Sequence, residues 1–425
     1  LFGRAISDHS YYHKIILGRY YHENDILKTL LVELDPQVLN RVKTLKLRDL
    51  STAHNPQMQY FTSLRSLDLG YVTVANKELC GLLAANAETL EELHLSWIVE
   101  ASQLHLLATG SNGTRGAGKV VPLPHLKIFR SKGPHCFYID GLKLLLSETK
   151  RLETFHLDSL SHAAALVWAN MMNDITGDET NARPYSELKS VTLGAPINSN
   201  IFWDAAAKLV STCGTQLESI SMNGSPKGAK TPFPQAFKDC FAGGMPVQPN
   251  LEKINIVWRD EVGVGEETVE NIRSVAPRAE FLHILMEYPL VDGVNRLVDL
   301  FRPFESLRQL HMIFPLHDDN APANILVSDA RLKLDPDLSK KSCGEFIEKI
   351  AELLPSLKYL SWSIYEYFRP GDQPSYFVRV SPFLWSCCMT QLFTRCCHLY
   401  RYDDRLTDRL NSKTLVESIV NTATK

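Results

Sequence analysis

Leu64-Arg-Ser-Leu67-Asp-Leu69 and, 26 residues on, Leu90-Glu-Glu-Leu93-His-Leu95 share one spelling, L-x-x-L-x-L. In a strand, side chains alternate between faces, so the fourth and sixth positions of this spelling point the same way. The first position lies on the approach turn and packs beneath them. A segment this short cannot bury its apolar face alone; stacking many copies in parallel buries one continuous ladder.

The spelling recurs along the chain. Val42-Lys-Thr-Leu45-Lys-Leu47 opens the series, and Leu126-Lys-Ile-Phe129 is a weaker copy. Leu152-Glu-Thr-Phe155-His-Leu157, Leu188-Lys-Ser-Val191-Thr-Leu193, Leu217-Glu-Ser-Ile220-Ser-Met222 and Leu251-Glu-Lys-Ile254-Asn-Ile256 follow. Ala279-Glu-Phe-Leu282-His-Ile284, Leu307-Arg-Gln-Leu310-His-Met312 and Leu357-Lys-Tyr-Leu360-Ser-Trp362 complete the clear copies, and Cys397-His-Leu-Tyr400-Arg-Tyr402 is a degenerate last one. Anchors are spaced by 22 to 50 residues. Helix-period segments lie between them, at Ile139 to Leu146, His162 to Met172, Phe202 to Val210, Val269 to Val275 and Val291 to Phe301. Strand, helix, strand predicts parallel pairing with helices on one side, an α/β solenoid bent into a horseshoe, strands concave and helices convex.

The array is expected over residues 41–403, with loop-like insertions near 110–124, 225–249 and 317–341, each rich in Gly, Pro or small polar residues. Residues 1–40 read as an N-terminal helical cap and 404–425 as a C-terminal one, covering the open sheet edges.

The chain of 425 residues is 44% hydrophobic and 22% charged, enough for a sizeable core. A net charge of −3 gives no basic surplus to offset phosphates, which argues against nucleic acid as main partner. No apolar run approaches the roughly 20 residues of a membrane helix. Nine cysteines, an odd and scattered set, fit reduced thiols in the cytoplasm or nucleus rather than a disulfide framework.

Two stretches invite a chemical reading. Gly113 to Val120, GTRGAGKV, spells most of a phosphate-binding loop. Yet Val120 stands after Lys119 where Ser or Thr should hold magnesium, and Val-Pro-Leu-Pro follows where a helix should start. Cys387 to Cys397, CCMTQLFTRCC, could suggest zinc, but adjacent cysteines point apart and the spacing is wrong; small buried hydrophobes in a helix fit better. GVGEET at Gly263 reads as a loop placing Glu266 and Glu267 at a helix start. Neither G-x-S-x-G nor H-E-x-x-H occurs. No catalytic residue, cofactor site or metal site is predicted, and the chain is not expected to be an enzyme; a nucleotide- or metal-dependent enzyme is the least favoured reading.

Positions three, five and seven of each motif should face away from the core. Position five reads Lys46, Asp68, His94, Arg130, His156, Thr192, Ser221, Asn255, His283, His311 and Ser361. With strands about 4.8 Å apart, His283 and His311 should be neighbours, either as a metal or pH-responsive pair or as solvated polar residues of a recognition face. Phe281, Gln309, Tyr359 and Tyr365 add aromatic and amide groups to the same end. The predicted partner-binding set is Phe281, His283, Gln309, His311, Tyr359 and Tyr365.

These motifs resemble the leucine-rich-repeat arrays of the ribonuclease-inhibitor-like superfamily. The irregular spacing and the PQVLNRVKTLKL stretch at Pro36–Leu47 are most similar to fungal F-box/leucine-rich-repeat proteins, over roughly residues 39–403. The resemblance implies a protein-binding module, the substrate-recognition part of an F-box-type receptor of a cullin–RING ubiquitin ligase, with a protein substrate on the concave face. A Skp-type adaptor would bind through an F-box, which this chain lacks: residues 1–34 are rich in Tyr and His, without the Leu-Pro start. A generic repeat scaffold or ligand-binding protein is the alternative. The Asn or Cys expected after each strand is replaced by Leu50, Val72, Ile98 and Leu160, so no asparagine ladder is expected and curvature should be uneven.

Overall fold

The structure, a computed structural model, describes residues 14–17, 35–48, 56–71, 76–96, 123–133, 149, 151–177, 185, 187–225, 232–258, 264–286, 293–315, 353–365, 375–381 and 384–388. Two compact units divide the chain. The first is Leu1–Lys227 with Pro234–Cys240 and Gly244–Pro246; the second is Gly228–Phe233, Phe241–Gly243 and Val247–Lys425.

In the first unit the motifs form β2 (Thr44–Arg48), β3 (Ser66–Gly70), β4 (Glu92–Ser96), β5 (Ile128–Lys132), β6 (Thr154–Asp158), β7 (Ser190–Pro196) and β8 (Ser219–Ser225). Each pairs in parallel with the next in chain order. The register puts like motif positions opposite one another, as Leu67 opposite Leu93 and Leu69 opposite Leu95. The anchors Val42, Leu64, Leu90, Leu126, Leu152, Leu188 and Leu217 and the inward strand residues are all buried, as the spelling requires. Full burial of one such side chain contributes about 1.5–3 kcal/mol, so the ladder is the main stabilising element.

Helices α1 (Pro36–Leu39), α2 (Asn76–Ala85), α3 (His162–Gly177), α4 (Asn200–Thr212) and α5 (Gln235–Asp239) run between or after these strands. Asp35 caps α1, its carboxylate accepting from the Gln37 amide at 2.8 Å, with Pro36 at the first turn. α3 brings Trp168 onto Phe129 and Phe155, the two motif positions where phenylalanine replaces leucine; ring centroids lie 5.8 and 5.9 Å from the indole. α4 buries Trp203, whose Nε1 donates to the Pro196 carbonyl at 3.1 Å.

The second unit holds β9 (Lys253–Trp258), β10 (Phe281–Leu285), β11 (Gln309–Pro315), β12 (Tyr359–Tyr365), β13 (Ser375–Ser381) and β14 (Leu384–Cys388), with α6 (Glu266–Val275) and α7 (Gly293–Phe301). β9 to β12 are parallel in order. Leu251, Ala279, Leu307 and Leu357 repeat the buried anchor.

A backbone device takes the place of the missing asparagine ladder. The carbonyl of the second motif residue accepts two successive amides from the next repeat. Lys43 accepts from Arg65 and Ser66, Arg65 from Glu91 and Glu92, and Glu91 from Lys127 and Ile128, at 2.7–3.0 Å. The same pair recurs at Lys127, Glu153 and Lys189 in the first unit and at Glu252, Glu280 and Arg308 in the second. Any side chain permits this bond, so no sequence signature marks it. One asparagine does act as a tie. Asn86, just past α2 and 1% exposed, accepts from the Leu64 amide and donates to the Phe61 and Leu82 carbonyls, all at 2.7 Å.

Several expectations need correction. Within residues 1–40, Lys14–Leu17 is not helical but a strand, β1, paired in parallel with β2; its Ile15 and Ile16 are β-branched and suit a sheet edge. Among the described residues of that segment only Pro36–Leu39 is α-helical. At the other end, β13 and β14 are antiparallel additions to β12, which the leucine pattern does not announce. Cys387 and Cys388 therefore lie in a strand, not in a helix. The 225–249 insertion is no open loop: Phe237 of α5 packs on Trp203 in the first unit, and Phe233 packs edge-on against Trp258 in the second. Residues 110–122, 317–341, the motif at 397–402 and the cap at 404–425 lie outside the described residues.

Candidate interaction face

The face of β9 to β12 opposite the leucine ladder is built by register. One row across it reads Lys253, Phe281, Gln309, Tyr359; the next reads Asn255, His283, His311, Ser361. Lys253 is exposed, and Phe281, Gln309, Tyr359, Asn255, His283 and His311 are half-buried. The rows are two residues apart along each strand, so Lys253 and Asn255, Phe281 and His283, and Gln309 and His311 share a face while Leu282, Leu310 and Ile284 turn inward.

His311 is the centre of the cluster. Its ring lies 5.2 Å from Phe281 and 5.6 Å from His283, centroid to centroid. Five of the six expected residues are thus brought into two adjoining rows. Tyr365 is not with them. It ends β12, paired with Pro315, six residues along the strand from Tyr359, or about 20 Å away.

Desolvation sets the protonation of the cluster. Burial, with His283 adding to it, takes the His311 imidazole from its ordinary 6.5 down to about 3. Burial also raises the Tyr359 hydroxyl. The face is therefore uncharged at His311 at neutral pH, an aromatic and amide surface edged by Lys253. The sign of the linkage follows. The unfolded ring takes its proton below about 6.5, the folded ring only near about 3, so stability falls as pH drops through that window. Urea midpoints measured from pH 7 to pH 4 should fall less steeply for His311→Gln than for the parent chain; parallel slopes would contradict this protonation.

The matching face of β2 to β6 is charged. Asp68, 7% exposed, is clamped by Lys46 at 2.9 Å and Arg48 at 3.2 Å. Burial raises its carboxyl, but the bonds and charges of Lys46 and Arg48 outweigh this and hold it below the usual range. Arg48 reaches Asp68 by lying across Gly70, its register partner: a Cβ there would meet Arg48 Cγ at 3.4 Å. Lys132 pairs with Asp158 at 3.1 Å. Gly194 makes room for that carboxylate, since a Cβ would fall 2.5 Å from Asp158 Oδ1. The row follows from the motif alignment; these pairs do not, because they depend on which neighbour each long side chain chooses.

As for chemistry, Glu266 and Glu267 occupy the first turn of α6, as GVGEET suggests, and Glu266 holds Arg296 at 2.7 Å. Lys119 and the cysteines after Cys388 lie outside the described residues. Among the described residues, no group of three or more His, Cys, Asp or Glu is placed to hold a metal, and no helix is long and apolar enough to cross a membrane.

No protein-family model matches the chain, and no curated protein matches it in sequence. Solved structures align with it by their backbones. An internalin of Listeria monocytogenes aligns over 81% of this chain and 91% of its own, at 11% identity and TM-score 0.33. A leucine-rich-repeat protein of Leptospira interrogans aligns over 78% of this chain and 62% of its own, at 13% identity and TM-score 0.33. The chain is built of leucine-rich repeats. The in-register parallel strands, buried anchors and intervening helices carry that statement. They make each unit an α/β stack of the solenoid kind.

Proposed function

We propose that the chain is a protein-binding module whose docking face is the Phe281–Gln309–Tyr359 and His283–His311 rows of β10 to β12. The carrying observation is that half-buried aromatic and amide side chains stand in register on a face with an uncharged centre. Large, already ordered aromatic groups beside hydrogen-bonding groups make the anchors of protein interfaces, because little side-chain freedom is lost on binding. A rim cation, Lys253, suits such a patch. No step of covalent chemistry is assigned to these residues.

The finer proposal is that the module serves as the substrate-recognition part of an F-box-type receptor in a cullin–RING ubiquitin ligase. Its support is the run of irregular repeats and the Pro36–Leu47 stretch. A Skp-type adaptor would be held through an F-box outside this chain. A repeat scaffold without a ligase role is the alternative outcome.

The test has two arms. Proteins cross-linked to the parent chain in cells should be lost, with affinity at least about tenfold weaker, when Phe281 and Tyr359 are both replaced by alanine; the variant's circular dichroism should match the parent's. Undiminished capture would remove this face from consideration. Separately, the protein expressed from its own gene should co-purify with a Skp-type adaptor and a cullin. Recovery of substrates without either would leave the binding module and end the ligase role.

A further inference from the structure

A second feature lies on the face of the first unit, independent of the reading above. His94, Arg130 and His156 stand in one register row across β4, β5 and β6. Arg130 is exposed, and among the described residues no carboxylate pairs with it. Its cationic neighbours are already in ion pairs: Lys46 and Arg48 share Asp68, and Lys132 holds Asp158. The row therefore presents one unpaired guanidinium between two half-buried imidazoles.

Both rings are neutral near pH 7. Burial, then Arg130, lowers His94 against the opposing charges of Asp68 and Glu92, with Lys46 adding to the lowering. Burial takes His156 to about 4, with Asp158 opposing and Arg130, Lys132 and His94 assisting. His94 Nε2 is buried and makes no hydrogen bond among the described residues, a deficit that an incoming acceptor can relieve.

We propose that Arg130, flanked by His94 and His156, is the docking point for one carboxylate of an acidic protein segment, an Asp or Glu side chain of a partner. Charge decides the occupant. Lys46, Arg48, Arg130 and Lys132 face Asp68, Glu92 and Asp158, one positive charge in excess when both imidazoles are neutral. A monoanion cancels that excess. A dianionic phosphate would leave a negative charge beside three fixed carboxylates in a partly desolvated place. The planar guanidinium matches a carboxylate with two parallel bonds. Thr192 of β7 and Ser221 of β8 continue the row with small hydroxyl side chains, a neutral track for the rest of an extended segment.

Fluorescence anisotropy with the full chain tests this, using a short end-blocked peptide of alternating Glu and Ala, its Gln twin and its phosphoserine twin. Saturable binding of the Glu peptide is expected. The Gln peptide, and Arg130→Gln with the Glu peptide, should each bind at least about tenfold more weakly. Arg130→Lys should recover only part of the loss, because the charge returns without the fork. Among the described residues Arg130 has no carboxylate partner to lose, so both variants should melt like the parent. No saturable binding by the parent at millimolar peptide, equal binding by Arg130→Gln, or tighter binding of the phosphoserine twin would overturn the proposal.

Discussion

Trp168→Ala is expected to lower the unfolding free energy of the first unit by about 3–5 kcal/mol, the range for emptying a large aromatic site in a close-packed core. The indole is fully buried and touches Phe129 and Phe155, whose own rings lie 6.1 Å apart. Those phenylalanines sit on consecutive strands at the position that leucine, valine or isoleucine fills elsewhere, so α3 plugs a place where the ladder is made of rings. Removing the plug leaves two phenylalanines facing a void that the paired strands cannot close. Trp168→Phe should cost less than half as much. It restores most of the volume, and it deletes an indole Nε1 that makes no hydrogen bond among the described residues. Urea unfolding followed by circular dichroism measures both. An alanine variant within about 1 kcal/mol of the parent would show that the strands hold without the helix.

The division between what could and could not be read from sequence follows from where each interaction lives. A strand that buries one face writes itself at period two, so the eleven leucine-anchored strands β2 to β12 were legible, register included. β1 escaped because KIIL is too short to show a period, and helical spacing nearby invited a helix. β13 and β14 escaped because their pairing is antiparallel and owes nothing to the anchor. The paired-amide carbonyl at Lys43, Arg65 and Glu91 is backbone alone and leaves no mark in side chains.

The candidate face divides the same way. Phe281, Gln309 and Tyr359 hold one motif position, so aligning the motifs aligned the residues. Tyr365 was grouped with them by closeness in sequence, which a strand converts into distance. Arg130 lay in the aligned row without standing out. That no carboxylate among the described residues pairs with it becomes visible only once Asp68 and Asp158 are seen to hold Lys46, Arg48 and Lys132.

Asn86→Leu is expected to cost about 3 kcal/mol or more, from three buried backbone groups each worth about 1–3 kcal/mol when left unpaired. The change keeps the number and branching of side-chain heavy atoms, opens no void, and leaves the Leu64 amide and the Phe61 and Leu82 carbonyls without their partner. A cavity is therefore not the cause, which sets this loss apart from that at Trp168. Asn86→Asp makes the comparison sharper. It keeps an acceptor for Leu64 but loses both donors and places a charge at a site 1% exposed, so it should fare no better than leucine. The tie joins the end of α2 to the turn before β3, and cooperation between neighbours holds a repeat stack together. Hydrogen exchange in Asn86→Leu should accordingly speed up first at Leu64 and the α2 terminus, while amides in β10 and β11 stay protected. Uniform acceleration across both units would show instead that the chain opens as one cooperative block.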